Sequence, residues 1–379
     1  MADTNGLVIA FFYESISLYR SRGYSEEDCV ELDKQDTIDA IAASIQSNGH
    51  RVVCVGDIKE LVQRMAREEH KKWDLAFSIS EGMHGVGREA QIPGLLEAYQ
   101  IPHVFSDAAT LALCLDKGKT KMILEQFGIP TAPFAVVPAS WTKADCTLTQ
   151  LLEKTMHGQK LSSFPLFIKP ACEGSSKGIY PSSKVDNFTE LEGGIQMLQT
   201  RFPGASILIE TFLSGQEYTV SIIGTGKRSR VIGTAHIDWE GLSRQKQQAS
   251  VAEKGPANPS DGSFWDVNNK NGPDADEPER FLNSRDNPDV QAVEDLALQA
   301  WRALECCDVG RVDIRYGADN RPYVLEINPL PGLRPNWSIL ARAAVHEGIS
   351  HKELIGKVID SALERYPILK AKSEDRHLR

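Results

Sequence analysis

Four segments of this chain carry residues whose types and spacing could do chemistry. In the first, Phe167-Ile168-Lys169-Pro170 runs into Ala171-Cys172-Glu173-Gly174-Ser175-Ser176-Lys177-Gly178. The apolar run reads as a strand that delivers Lys169. The Gly/Ser stretch behind it can aim several backbone N–H groups at phosphate oxygens while the lysine adds positive charge. Its spacing is not the GxxxxGK[ST] of a P-loop, and taken alone the same stretch is more often an ordinary turn.

The second segment is a strand pair, Gly310-Arg311-Val312-Asp313-Ile314-Arg315 and Val324-Leu325-Glu326-Ile327-Asn328-Pro329, joined by the polar turn 316–320. A period of two puts Arg311 and Asp313 on one face and Glu326 and Asn328 on one face, with Val312, Ile314, Leu325 and Ile327 opposite. Two carboxylates, an amide and a guanidinium would then share a surface. Such oxygen donors suit Mg²⁺ held jointly with substrate phosphates; a salt-bridged, solvated hairpin face is the alternative. The third segment, Ile207-Leu208-Ile209-Glu210-Thr211-Phe212-Leu213 followed by Glu217, offers backbone donors and acceptors with apolar cover, as a purine requires. Taken alone, such a segment is more often just a core strand. In the fourth, Asp116-Lys117-Gly118-Lys119-Thr120-Lys121, a helix would place Lys117 and Lys121 on one face and Lys119 elsewhere. One lysine could turn inward to phosphate, or all could be solvated.

The elements that must position these residues follow from periodicity. Residues 7–13 read as a buried strand and 37–46 as a helix with Ile38, Ile41, Ala42 and Ile45 on its apolar face, ended by Asn48-Gly49, both tolerant of a left-handed conformation. Residues 51–55 are the next strand, 58–69 a helix and 73–79 a third strand, an alternation that implies a parallel sheet in an α/β lobe. A basic amphipathic helix is expected over 116–128, and Ile129-Pro130-Thr131-Ala132-Pro133 breaks it at a crossing between lobes. A second strand–loop–helix–strand unit spans 134–212, and a third begins near Glu217. Residues 245–287, rich in Gly, Pro, Asn, Asp and Ser, are expected to form a long loop, either a functional lid or disordered.

The 379 residues, 41% hydrophobic and 25% charged, suit two or three packed lobes of a soluble protein. A formal net charge of −10 argues against general nucleic-acid binding. No apolar run approaches the roughly 18–20 residues of a membrane helix, and the first residues lack the pattern of a secretory signal, which points to the cytoplasm. The seven cysteines show no zinc-ligand spacing; they read as reduced and mostly buried, with Cys306 and Cys307 on a helix.

In order and spacing, these segments resemble the ATP-grasp superfamily, specifically its D-alanine–D-alanine ligase-like branch. The resemblance rests on Asp116-Lys117 through Gly128-Ile129-Pro130-Thr131, Ile168-Lys169-Pro170 with Glu173-Gly174-Ser175-Ser176, and Ile209-Glu210 with Leu213-Ser214-Gly215 and Glu217. It closes with Gly310-Arg311-Val312-Asp313, Glu326-Ile327-Asn328 and Pro331-Gly332. It implies an N-terminal α/β lobe (1–115), a central lobe with the phosphate loop (116–213) and a C-terminal lobe with the metal site (214–379). It also implies that ATP and Mg²⁺, or Mn²⁺ in its place, are bound. Lys117 and Lys169 would hold phosphates under a closing loop that includes Glu173, Ser175 and Ser176. Glu210 and Leu213 would meet adenine, Glu217 the ribose, and Asp313, Glu326 and Asn328 the metal. Arg311 would stabilise the phosphoryl group in flight, with Ser175 also catalytic. A homodimer through the first lobe is implied too.

The implied activity is ligation of a carboxylic acid, an amino acid or peptide, to an amine through an acyl phosphate, with release of ADP and phosphate. The alternatives are a phosphotransferase that stops at a phosphorylated product and a non-catalytic nucleotide-binding module. The substrate loops depart from the family. The Gly-Gly turn and Glu-Arg-Glu run expected after the first strand are replaced by Phe11-Phe12-Tyr13-Glu14-Ser15-Ile16. The Tyr and Lys of the central loop are missing after Ala235. Where a small hydroxyl residue receives the second carboxylate, the chain reads Asn336-Trp337-Ser338. Gly332 and Arg334 are candidate substrate contacts there, Arg334 as a fork to a carboxylate or as a solvated side chain. In the loop 81–91, His84 or Arg88 could touch substrate, although a lone loop histidine is usually solvated. These departures lead to the expectation of substrates other than paired D-alanine.

Overall fold

The structure, a computed structural model, describes residues 6–144, 146–239, 264, 279–282 and 287–377. Three sheets carry the site. The first is parallel, with β1 (Val8–Phe12) between β2 (Arg51–Gly56) and β3 (Leu75–Ser78). β1 is apolar at every position, as a central parallel strand covered on both faces must be. The crossover helix Gln35–Ser47 buries Ile38, Ile41 and Ile45, and it is Gly49 alone, at φ +88°, that takes the left-handed turn behind it; Asn48 stays at φ −86°. The next helix stops at Ala66, earlier than its periodicity suggests, and a 3₁₀ turn, Glu69–Lys72, leads into β3.

The second sheet is antiparallel, in the order β4 (Phe134–Val137), β7 (Ile207–Thr211), β5 (Leu166–Pro170), β6 (Lys184–Val185). The third is antiparallel too, in the order β10 (Glu279–Leu282), β9 (Arg230–Ile237), β8 (Glu217–Ile223), β11 (Val309–Tyr316), β12 (Pro322–Asn328). The central sheet has its own core, with Ile168, Ile209, Leu191 and Ile195 fully buried. The helix Pro288–Ala303 lays Val293, Ala297 and Trp301 on the third sheet, in a core that also takes Leu124 and Ile129 from the chain ahead of β4.

A further core crosses the molecule. Leu7, just ahead of β1, and Ile9, Phe11, Leu75 and Phe77 of the first sheet share it with Leu354, Ile355, Val358 and Ile359 of the helix His351–Arg365 and with Ile223 and Val309 of the third sheet. The first lobe therefore does not pack as a unit apart.

Two further sequence expectations change. The loop expected over 245–287 contains β10, which pairs with β9, and Phe264 is buried in the cleft; Asn287 caps the helix that follows. The remainder of that stretch lies outside the described residues, and so does the choice between lid and disorder. Cys306 and Cys307 sit between the helix Pro288–Ala303 and β11 rather than on a helix. Four of the seven cysteines are buried, Cys54 is exposed, and all are free thiols.

Candidate active site

The second and third sheets and the turns of the first lobe line a cleft of about 1010 Å³, and every residue assigned an ATP, metal or catalytic role from the sequence lines it, as do Gly332 and Arg334. Its floor is a layer of lysines around one carboxylate. β7 delivers Glu210, β5 delivers Lys169, and the helix Lys117–Gln126, N-capped by Asp116, delivers Lys117 and Lys121. Glu210 Oε1 lies 2.7 Å from Lys169 Nζ and Oε2 lies 2.9 Å from Lys121 Nζ. Burial by itself would raise the Glu210 carboxyl, but the two ammonium groups outweigh it and hold the group at about 2. Lys121 also donates to Thr131 Oγ1 at 2.6 Å, and its ammonium is pushed down by burial. It is therefore a buried tie and not a phosphate ligand, while Lys119 is exposed and pairs with Asp116. The Glu210 carboxylate is committed to both lysines, and Leu213, beyond Thr211, lines the cleft at this strand end.

The phosphate loop leaves β5 directly behind Lys169. Ser175 and Ser176 both take left-handed backbone angles, φ 47° and 60°, which is uncommon outside glycine and aims successive N–H groups to one side. Neither N–H donates to another described residue. Lys117 Nζ donates to the Glu173 carbonyl at 2.7 Å and stands 3.3 Å from Glu326 Oε2, so one ammonium touches both the loop and the hairpin of the third sheet. Lys177 reaches the Glu173 carboxylate at 3.3 Å.

That hairpin is β11 and β12, in a register that pairs Arg311 with Asn328 and Asp313 with Glu326. Asn328 Nδ2 donates to Asp313 Oδ2 at 3.3 Å, and Arg311 Nε approaches the same oxygen at 3.4 Å. Thr219 Oγ1 of β8 donates to Asp313 Oδ1 at 2.8 Å. Burial would lower the Arg311 guanidinium, and the neighbouring Asp313 and Glu326 carboxylates overcome that, so it stays charged. A bulge between Asp313 and Ile314 breaks the simple alternation, and Leu325 is half-buried in the cleft wall rather than in the core with Val312, Ile314 and Ile327. Among the described residues no three His, Cys, Asp or Glu converge into a closed metal cage. Two carboxylates and an amide oxygen facing a phosphate loop are nevertheless the hard, incomplete oxygen set that fits Mg²⁺ sharing its shell with phosphates.

The rest of the cleft is set by pairs. Glu217 meets Arg315 at 3.2 Å, and Arg315 also donates to the Gly215 carbonyl. Gly332 lines the wall that leads to Arg334, whose guanidinium lies 3.3 Å from Asp36 and stacks over Trp337 at 5.3 Å. Arg88 is not a cleft residue: it is buried and bound to Glu31 and to the Cys172 carbonyl. His84 is exposed and bonds the Tyr24 hydroxyl.

Sequence reading missed several residues. Phe264, from the stretch read as a loop, packs edge-on against Phe167 at 5.0 Å beside the lysine layer. Asp33 and Glu89 line the cleft, and burial pushes both carboxyls up to about 7; burial pushes Glu81, also in the wall, well above the usual range. Glu81 and Glu89 flank His84 and Arg88 in the charged loop 81–91, so the sequence carried a signal for them. Glu31 and Asp33, in a polar turn, gave no signal.

The family model described as D-ala D-ala ligase C-terminus matches residues 123–360. A D-alanine–D-alanine ligase of Xanthomonas axonopodis pv. citri (strain 306) is 28% identical over 294 residues, covering 77% of this chain and 79% of the relative. Two crystal structures of D-alanine–D-alanine ligase from Bacillus anthracis share the fold at 23% identity. The one complexed with ATP has a TM-score of 0.64 and covers 97% of this chain and 99% of that one; the other has 0.66, with 96% and 99%. The three-sheet architecture is thus the ATP-grasp fold, and the chain belongs to the D-ala D-ala ligase C-terminus family.

Proposed function

We propose that the chain is an ATP- and Mg²⁺-dependent ligase that joins a small carboxylic acid, an amino acid or peptide, to an amine. The observation that carries this reading is the single ammonium of Lys117, held at once by the phosphate loop and by Glu326 of the acidic hairpin. A phosphoryl group between loop and hairpin would meet Lys117, Lys169 and the N–H groups of Ser175 and Ser176 on one side. On the other it would meet Arg311 and a metal held by Asp313, Glu326 and Asn328. Leu213 would cover the base and Glu217 would reach the ribose.

The chemistry needs that arrangement. A carboxylate is a poor electrophile with a poor leaving group, and ATP supplies the phosphoryl group that turns it into an acyl phosphate. Transfer of that group is mainly a matter of position and charge, which Lys117, Lys169 and Arg311 provide. Attack by the amine then expels phosphate, and Arg311 with the backbone near Gly332 faces the oxyanion that forms. Exclusion of water protects the acyl phosphate meanwhile.

The expectation of substrates other than paired D-alanine rests on the substrate loops alone, and the relatives found are themselves D-alanine–D-alanine ligases. D-alanine is therefore the first acid and amine to assay, followed by other amino acids and dipeptides. ADP and phosphate release should require both an acid and an amine, with an amide identified by mass. Glu326→Ala should lower the rate by about a hundredfold or more. A stable phosphorylated product, or undiminished turnover in Glu326→Ala, would overturn the reading.

A further inference from the structure

The phosphate loop is not held by its own lobe alone. Three consecutive residues of it are gripped through their backbone by charged side chains from outside the central sheet. The Cys172 carbonyl accepts from Arg88 Nη1 at 2.8 Å, the Glu173 carbonyl from Lys117 Nζ at 2.7 Å, and the Gly174 N–H donates to Glu31 Oε1 at 2.7 Å. Arg88 and Glu31 are joined to each other, Nη2 to Oε2, at 2.8 Å, and both side chains are less than a tenth exposed. Both come from the first lobe: Glu31, which lines the cleft, lies in the turn after the helix Ile16–Ser21, and Arg88 in the short 3₁₀ turn Arg88–Ala90. The approach is close: a Cβ on Gly174 would fall 2.4 Å from Glu31 Oε1, so a side chain there would push the carboxylate away. One residue-pair further out, Arg201 and Glu27 join the same turn to the helix Phe188–Arg201 at 2.9 Å.

We infer that Glu31 and Arg88 are positioning residues that clamp the phosphate loop onto the first lobe and so keep water from the acyl phosphate. The last part of this rests on the ligase reading above. A carboxylate and a guanidinium are suited to the task because each makes a charge-assisted bond to a peptide group while neutralising the other, so the closed loop buries no uncompensated charge. The clamp leaves the N–H groups of Ser175 and Ser176 to the substrate and fixes the loop from behind. With the clamp broken, the loop still folds, but it no longer stays shut over a bound phosphate for the time the amine needs to attack.

The test uses the full chain and two readouts. Hydrogen–deuterium exchange over residues 171–178 should quicken by on the order of tenfold in Glu31→Ala and in Arg88→Ala, with exchange in the helix His351–Arg365 unchanged. Glu31→Gln, which keeps an acceptor for Gly174 but loses the charge facing Arg88, should fall between Glu31→Ala and wild type. In turnover with Mg²⁺-ATP and the acid and amine found above, ADP released per amide formed should stay near one in wild type. It should rise several-fold in Glu31→Ala and Arg88→Ala, with a larger effect on this ratio than on the rate of ADP release. Unchanged exchange over 171–178 in both alanine variants would overturn the clamp whatever the catalysis. A loosened loop with the ratio still near one would overturn its role against water. Absence of amide from every pair with wild type would overturn the ligase reading, and the exchange readout would still decide the clamp.

Discussion

At the residue scale the site is organised by burying charge in compensated groups. Glu210 is 3% exposed and would be costly there alone; Lys121 and Lys169 make its charged form the stable one. The folded carboxyl sits at about 2 against an ordinary 4.5, so its contribution to stability is complete above the ordinary value and is lost as pH falls from there through about 2. Glu210→Gln should remove that part of the acid dependence and cost about 3–5 kcal/mol at neutral pH, because it leaves two buried ammonium groups without their carboxylate. Urea unfolding at several pH values checks both parts. An unchanged midpoint at neutral pH would mean that the lysines find other partners.

At the scale of elements, the hairpin of β11 and β12 is the part whose shape decides chemistry. Its register puts Arg311, Asp313, Glu326 and Asn328 on one surface, and the helix behind it is packed so close that Gly310 has no room for a side chain. A Cβ there would lie 2.4 Å from the Trp301 ring and 2.5 Å from the Asn328 carbonyl. Gly310→Ala should therefore destabilise the protein by about 1–3 kcal/mol as overpacking. It should also lower ADP release far more than that loss of stability explains, since it shifts Arg311 and Asn328 together. A thermal melt alongside the assay separates the two, and a variant with wild-type turnover would show that the hairpin tolerates the shift.

At the scale of the whole molecule, the first lobe is tied to the third sheet through Asp308. This fully buried carboxylate takes the Phe105 N–H at 2.8 Å, the Ser361 hydroxyl at 2.9 Å and the Arg365 guanidinium at 2.6 Å. With the Thr225 hydroxyl at 3.3 Å, three separate stretches of chain meet on this residue. Asp308→Ala should cost about 3–5 kcal/mol, read as a lower denaturation midpoint, because the Arg365 charge and the Phe105 N–H lose their partner together. Loss of well under 1 kcal/mol would place the tie in the shared apolar core instead. The described helices include none long and apolar enough to cross a membrane.

Sequence alone determined the local chemistry of this protein: which strands deliver Lys169, Glu210 and the Arg311–Asp313 face, where glycine turns the chain, and which family pattern these pieces follow. Such features repeat every two to four residues, and short-range sterics and burial dictate them. Tertiary structure decided which charges meet. Nothing in the spacing of Lys117, Lys119 and Lys121 says that the first reaches the loop, the second solvent and the third Glu210. Nor does it say that Glu31, over a hundred residues earlier, closes on Gly174. Those outcomes depend on how three sheets lie against one another, and a polar side chain in a turn has no periodicity to reveal its partner. The bulge that turns Leu325 into the cleft belongs to the same class: a one-residue irregularity in pairing, set by the neighbouring strands and invisible in the alternation.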